Sequence, residues 1–417
     1  MTDGAQLSGA VWLKDDAVAR LLATFGRDGE EARVVGGAVR NALMGLSVGE
    51  IDVATTAEPK EVMHRAEAAG FKAIPTGIEH GTITVVIDGR PFEVTTLRTD
   101  VETYGRKAKV MFGRDWKKDA ERRDFTINAL SASADGHVYD YVGGLADISA
   151  RKVRFIGEPE KRIAEDYLRI LRFFRFHAYY GEGLLDPAGV AACIRGRSGI
   201  DSLSRERVRM EMLRLLVGPH PAPTLAVMAE CGILGAVLGG VPYLASFENV
   251  VKAEATIDLE PNAARRLGAL GVWVMEDAER LSQRLRLSNT EVEQLLKIEY
   301  WWRVTPASGS HAARTLLYLL GPASFTDRVL VAWSRSAVGV ADKAWQELAT
   351  LPQRSTAPRF PLKAVDFINR GVPKGPSLGA ALRVAEQAWI DADFPADRDS
   401  IDAIAEQAAR DTSRSHT

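Results

Sequence analysis

Val35-Gly36-Gly37-Ala38-Val39-Arg40, followed by Glu50-Ile51-Asp52-Val53, is the stretch on which the reading of this chain turns. It opens with a short apolar run, Ala32-Arg33-Val34-Val35, that stops at a glycine pair and continues into the helical spacing Val39…Leu43-Met44. A strand that passes into a helix through Gly-Gly leaves bare backbone N–H groups at a helix start, where a phosphate can be held. Arg40 falls in the first helical turn and can reach the same anion. Glu50 and Asp52 then alternate with Ile51 and Val53, and a period of two places both carboxylates on one face of a strand. Two acids so placed repel each other unless a cation lies between them. A hard ion such as Mg²⁺, which binds through few carboxylates together with substrate phosphates, suits such a pair. The tripeptide alone is equally the acidic outer face of a half-exposed strand. The order of glycine pair, arginine and acid-x-acid strand is what gives it meaning.

Outward from there, the first third of the chain alternates strand and helix patterns. Pro59 to Ala69 has helical spacing, and Thr82–Ile87, Asp88-Gly89 and Phe92–Leu97 form a hairpin pattern around the turn that hairpins prefer. The polar, glycine-containing segment from Asp100 to Lys118 reads as a mobile basic loop. Asp124 is placed to cap a helix beginning at Phe125. From Arg162 onward strand patterns fade and helices follow one another, among them Leu168 to Ala178, Ser204 to Leu216 and Thr290 to Trp301. The expected architecture is a mixed α/β head with a small sheet, followed by an all-α remainder.

A chain of 417 residues with 46% hydrophobic residues is that of a multidomain protein with ample core. No apolar run is long enough for a membrane-spanning helix, and the N-terminus lacks the pattern of a secretory signal. The two cysteines, Cys193 and Cys231, make no disulfide framework, so a reducing cytoplasm is the expected compartment. With a net charge of −2, contact with nucleic acid has to be a local patch. Lys and Arg outnumber Asp and Glu between Arg98 and Arg214, whereas the C-terminal stretch from Glu386 to Asp411 is acidic.

Further residues have chemistry to offer. Glu93 shares a strand face with Thr95 and becomes a third acid if its hairpin lies beside the Glu50 strand. Arg122-Arg123 precede Asp124, and arginine is suited to planar recognition of phosphates. In Glu165-Asp166-Tyr167-Leu168-Arg169-Ile170-Leu171-Arg172-Phe173-Phe174-Arg175, read as one helix, each step of three turns the side chain back by about 60°. Asp166 and Arg169 are then neighbours, while Arg172 and Arg175 wind away toward phosphates, RNA or acids. An Asp acceptor beside an Arg donor matches the amine and ring nitrogen of cytosine and adenine, and rejects uracil and guanine. The same pair is also an ordinary intrahelical ion pair. Trp116, Tyr179 and Tyr180 read as core more readily than as stacking platforms.

Taken in order, these segments resemble the class II CCA-adding enzyme and bacterial poly(A) polymerase family. Tyr104-Gly105-Arg106, Gly113-Arg114-Asp115-Trp116, Gly143-Gly144-Leu145-Ala146-Asp147, Ser204-Arg205-Glu206-Arg207 and Gly371-Val372-Pro373-Lys374-Gly375-Pro376 extend the likeness along most of the chain. The resemblance implies a polymerase-β-like catalytic head over residues 1–150, and a helical neck for base recognition over 151–218. It implies a tRNA-binding body and tail over 219–417. Glu50 and Asp52 would hold Mg²⁺, with Glu93 as a further catalytic acid. Gly37, Arg40 and Arg123 would hold the triphosphate or sugar, Asp166 and Arg169 would read the base, and Arg172 and Arg175 would complete the nucleotide site. The implied reaction is Mg²⁺-dependent, template-independent transfer of CMP and AMP from CTP and ATP to the tRNA 3′ end, by a monomer or homodimer without membrane partners. Poly(A) synthesis by the same head, or a tRNA-binding paralogue with an impaired head, are the alternatives. The family usually has Asp where this chain has Glu50 and Asn41.

Overall fold

In the computed structural model, which describes residues 5–104 and 107–414, the apolar run Ala32–Val35 forms strand β1. The others are β2 (Asp52–Thr55), β3 (Lys72–Gly77), β4 (Thr82–Ile87), β5 (Arg90–Thr96), β6 (Arg98–Tyr104), β7 (Lys107–Phe112), β8 (Ser131–Ala132) and β9 (Val138–Tyr139). Among the described residues seven of them form one sheet in the order β3-β4-β5-β2-β1-β8-β9. The expected hairpin is β4–β5, and its turn residues Asp88 and Gly89 both have positive φ, 50° and 79°. Ile83, Val85 and Ile87 alternate with half-exposed threonines and Val86, and Phe92, Val94 and Thr96 are buried beside exposed Glu93. The period of two thus turns an apolar face into the core.

The pair that positions the site is β2–β5, the parallel one in this sheet, with Asp52 opposite Glu93 and Val53 opposite Val94. A parallel pair needs a long crossover, and helix, strand and hairpin between Pro59 and Gly89 supply it. Helices α1 (Asp16–Phe25), α2 (Gly37–Leu43) and α3 (Pro59–Ala68) accompany the sheet. Two more, α4 (Trp116–Glu121) and α5 (Gly144–Ser149), follow it.

Two expectations about this region are corrected. The segment from Asp100 to Lys118 is not a loop: β6 and β7 pair antiparallel from Arg98↔Phe112 to Tyr104↔Lys107, and α4 follows. Alternation of Thr, Val and Tyr with charged residues carries the strands, and the abundance of polar residues hid it. Gly105 and Arg106 lie outside the described residues. Nor does Asp124 cap an α-helix. Only a 3₁₀ turn, Thr126–Asn128, forms there, and the Asp124 carboxylate is used instead to hold the next domain.

That domain starts with α6 (Pro159–Glu165) and α7 (Leu168–Tyr180), joined by α8 (Pro187–Gly196), α9 (Arg205–Leu216), α10 (Pro221–Glu230) and α11 (Ile233–Leu238). Phe125 of the head and Phe155 just after it lie 5.0 Å apart and meet Phe173 and Phe176 of α7 with ring centroids 5.1–6.3 Å apart. Around this aromatic core runs an ionic chain. Arg172 donates to Asp124 at 2.8 Å and lies 3.6 Å from Glu211 of α9, which also takes Arg175. The chain divides into two units, residues 1–242 with 283–286, and residues 243–282 with 287–417. The second is all-helical among its described residues, with α12 (Leu244–Thr256), α13 (Ala263–Gly271), α14 (Met275–Leu285, whose last turn belongs to the first unit), α15 (Asn289–Ile298) and the kinked α16 (Gly309–Ser334). Arg265 and Arg266 are buried there against Glu254, and Arg265 also against Asp327.

Burial acts to raise the Asp124 carboxyl, but Arg172, Asn128 and the Phe125 N–H outweigh it and hold it below the usual value of 3.8. A carboxylate depressed in the folded state contributes stability that is complete above its unfolded value and lost as pH falls toward the folded one. Asp124→Ala is expected to destabilise the first unit by about 3–5 kcal/mol, the scale for leaving a buried partner charge unpaired. Urea unfolding at pH 7 and below pH 4 checks this, since the difference between variant and wild type has to shrink in acid.

Candidate active site

Asp52 opens β2 directly across from Val35, the residue before the glycine pair, and in register with Glu93 on β5. Glu50 lies two residues ahead of it. The expectation that both acids share a strand is corrected: β2 begins at Asp52, so Glu50 and Ile51 belong to the preceding connection. The reason is local, since β1 ends at Val35 and Gly36 turns away, leaving Ile51 no partner. All three acidic side chains are exposed. Desolvation is nonetheless the largest influence raising the Asp52 carboxyl above 3.8, followed by repulsion from Glu93 and then Glu50, with Arg123 acting the other way. The three acids therefore form one electrostatic group with Arg123 beside it. Among the described residues no three carboxylate, His or Cys side chains converge closely enough to form a metal cage of their own.

Gly36 has φ 68° and ψ −117°, a conformation that side chains avoid. A Cβ there would come within 3.4 Å of Arg123 Nη1, so this guanidinium lies over the turn. Gly36 N–H is taken by Leu130 O at 3.0 Å, whereas the N–H groups of the first turn of α2 have no partner within the helix. Arg123 is aimed by Asp119, which accepts from its Nε and Nη2 at 3.4 and 3.2 Å and pairs with Arg122 at 2.7 Å. Asp119 was not singled out in the sequence. Its signal was the spacing of three and four residues to the arginine pair that follows α4.

Arg40 is placed differently from the expectation of a phosphate-facing arginine. It is 6% exposed and donates to Asn128, to Asn41 at 2.8 Å and to Tyr180 OH at 2.7 Å, with its guanidinium 3.8 Å from the Tyr180 ring. Burial is the main influence lowering its pKa. Asn41, in place of an acid, supplies an acceptor for Arg40 and donates to Ser47 O at 2.9 Å, tying down the connection that leads to Glu50. Trp116 is buried under Arg33, 4.0 Å from its guanidinium, as read, whereas Tyr179 is half-buried and donates to Arg214 O.

The neck also departs from one continuous helix. α6 stops at Glu165, Asp166 is extended (φ −157°, ψ 108°), and α7 starts at Leu168. Asp166 and Arg169 are consequently not an intrahelical ion pair. Asp166 accepts from Leu168 N at 3.1 Å and from Arg207 at 2.5 Å, while Arg169 Nη1 donates to Glu165 and, at 2.8 Å, to Arg162 O. Each is held by a partner other than the one expected: Asp166 by Arg207 on α9 and Arg169 by Glu165 on α6. Arg172 and Arg175 are committed to Asp124 and Glu211.

A family model described as the poly A polymerase head domain matches residues 32–154, the sheet with its acids and Arg123. Another, the probable RNA and SrmB-binding site of polymerase A, matches residues 185–247. The mitochondrial CCA tRNA nucleotidyltransferase 1 of Danio rerio is 33% identical over 392 residues, covering 93% of this chain and 89% of its own. The chain belongs to the CCA-adding tRNA nucleotidyltransferase family. The CCA-adding enzyme of Geobacillus stearothermophilus is 42% identical over 215 residues, about half of each chain. The crystal structure of the Bacillus stearothermophilus CCA-adding enzyme in complex with CTP has a TM-score of 0.74 at 28% identity, covering 95% of this chain and 98% of that one. The expected mixed α/β head and helical remainder are therefore those of an RNA nucleotidyltransferase.

An acid whose folded pKa is raised costs stability when ionised, fully above the folded value and not at all below the unfolded one. Asp52→Asn is accordingly expected to melt higher than the wild type at pH 7 without divalent ions, the gain disappearing below pH 3.8. Thermal melts in EDTA at both pH values test it. A variant that melts no higher at pH 7 would falsify the electrostatic assignment.

Proposed function

We propose that this nucleotidyltransferase adds CMP and AMP from CTP and ATP to the 3′ end of tRNA, without a template and with release of pyrophosphate. The observation that carries the proposal is the meeting of Asp52 and Glu93 on paired strands, beside Glu50, the Gly36 turn and Arg123. CCA-adding enzymes aligned along nearly the whole chain support it.

The donor set fits a divalent cation, and Mg²⁺ in particular. Its oxygens are hard, they repel one another, and too few converge to complete a shell without substrate phosphates. Glu50 and Asp52 would hold the ion, which when bound favours the ionised 3′-hydroxyl and offsets charge on the phosphates. Glu93 sits in register with Asp52 to orient it or to share the ligation. The Glu50 substitution falls on the connection rather than on the pleat, where the longer side chain meets the least geometric constraint.

Gly37 allows the triphosphate to approach the first-turn N–H groups, and Arg123 faces the same space to stabilise charge as the 3′-hydroxyl attacks the α-phosphorus in line. Arg40 contributes by fixing α2 against Asn128 and Tyr180. Arg172 and Arg175 likewise complete the nucleotide site by holding α7 in place through Asp124 and Glu211. A carboxylate has about four acceptor sites. Asp166 uses two of them on Leu168 and Arg207 and keeps the rest for an exocyclic amine. Arg169 spends Nη1 on the protein and keeps Nε and Nη2 for a ring nitrogen. The helical body and tail, from residue 219 onward, take the tRNA. Two free cysteines agree with the cytoplasm as the working compartment.

With a tRNA ending at its discriminator base, CTP and ATP are expected to yield a three-nucleotide product that requires CTP; long products from ATP alone would mean poly(A) synthesis instead. Asp52→Asn should lower ³²P incorporation by at least about a hundredfold, the scale of losing one element of transition-state charge stabilisation. Asp166→Ala should narrow the preference for CTP over UTP by roughly tenfold or more, as expected when a hydrogen-bonding reader of the base is removed. Single-turnover rates with each triphosphate measure it, and an unchanged ratio removes Asp166 from base recognition.

A further inference from the structure

The helical unit from Tyr243 onward contains a cavity of about 250 Å³ between the end of α15 and the start of α16. Arg303 and Arg328 line it, Tyr300, Thr305 and Ser308 add a ring and two hydroxyls, Leu316 adds apolar surface, and no acidic residue lines it. Other arginines of this unit are satisfied within the protein: Arg265 and Arg266 pair with Glu254 and Arg370 with Asp402, while Arg335 donates to Ser246 and to the carbonyls of Gly268, Ala269 and Val272. Among the described residues Arg303 and Arg328 form no ion pair. Arg328 donates Nε to Lys297 O at 2.6 Å, and Arg303 lies 4.8 Å over the Tyr300 ring. Burial pulls the Arg328 pKa down, with Glu299 and Tyr300 countering only through space.

Exposed Arg303 and half-buried Arg328 face one half-open cavity with no acid on its lining, which suits an anion, and arginine's planar fork matches phosphate oxygens. The aromatic surface says more. Tyr300 is held at φ 62°, where a non-glycine residue is rarely found. The residue is 41% exposed, and Trp302 close by is 50% exposed. Rings that keep this much surface in water beside arginines suit a base face, and such stacking is sequence-tolerant. The volume lies just below the range of ligand pockets, which run from about 300 Å³, and leaves room for at most one nucleotide unit, not a duplex.

We propose that this cavity binds the phosphate of a nucleotide unit through Arg303 and Arg328, with the base against Tyr300. None of its residues belongs to the head or neck, so it is a site additional to the one described above. The same chemistry is offered by a free nucleotide and by one residue of an unpaired RNA strand.

The test is photolabelling of the full-length protein, in one arm with ³²P-labelled 8-azido-AMP and in the other with a single-stranded oligoribonucleotide carrying 8-azidoadenosine. Label is expected on the peptide spanning residues 297–316. Recovery with the mononucleotide identifies a free-nucleotide site, and recovery with the oligonucleotide alone identifies an RNA contact. Arg303→Gln should reduce that label about tenfold, the scale of one charge-assisted hydrogen bond, and Arg303→Lys should restore part of it. Arg328→Gln should act likewise, but Arg328 also holds Lys297 O, so Arg303 is the decisive position, with circular dichroism melts confirming its fold. Label confined to head and neck peptides in both arms, or undiminished in Arg303→Gln, overturns the proposal.

Discussion

The pairing of Arg172 with Asp124 is the interaction on which the first unit depends. It joins a carboxylate at the end of the head's chemistry-bearing loop to a guanidinium in the middle of the neck helix, both largely withdrawn from water. Removed from solvent, neither charge tolerates the loss of the other, so the ionic chain permits only one docking of α7 on the head. Glu211 extends the chain to α9, and Asn128 extends it through Asp124 to Arg40 and the start of the Gly36 turn. The aromatic cluster of Phe125, Phe155, Phe173 and Phe176 supplies apolar burial, which is non-directional. The ion pairs supply the register. Without that register Asp166 and Arg169 would have no set relation to the acids on the sheet.

Against this background the acid face is a local instability that the fold maintains. Asp52, Glu93 and Glu50 repel one another, and Asp52 is the member whose ionisation is visibly opposed. Like charges persist together where a ligand relieves them, and perturbed carboxylates cluster at functional sites for that reason. The β2–β5 register enforces the arrangement: sliding one strand by a residue would turn Glu93 into the core and bring Phe92 or Val94 to the surface.

Arginine serves three distinct ends in this chain. Arg172, Arg175, Arg265 and Arg266 are structural, satisfied by buried acids. Arg123, Arg169 and Arg207 are aimed, each held on one edge by Asp119, Glu165 or Asp166. Arg303 and Arg328 face a cavity without an acidic neighbour on its lining. Sequence spacing does not separate these classes, because the distinguishing partner is usually far along the chain: 48 residues for Arg172–Asp124 and 41 for Arg207–Asp166.

What the sequence determined by itself was whatever depends on short range. The hairpin at Asp88-Gly89, the strand-to-helix passage at Gly36-Gly37 and helices such as those from Pro59, Leu168 and Ser204 follow from backbone preferences and periodicity, which neighbouring residues set. Ordered motifs likewise sufficed to place the chain in its family. The tertiary structure alone decided which charges meet across long stretches of chain. Arg40 went to Asn128 and Tyr180 instead of outward, Asp166 to Arg207 instead of Arg169, and Asp124 to Arg172 instead of a helix start. The strand start at Asp52 belongs here too, since it is set by where β1 runs out of partners. The physical reason is common to all of them: a side chain's preferred partner is the one that shares its removal from water, and burial is a property of the packed fold, not of local spacing.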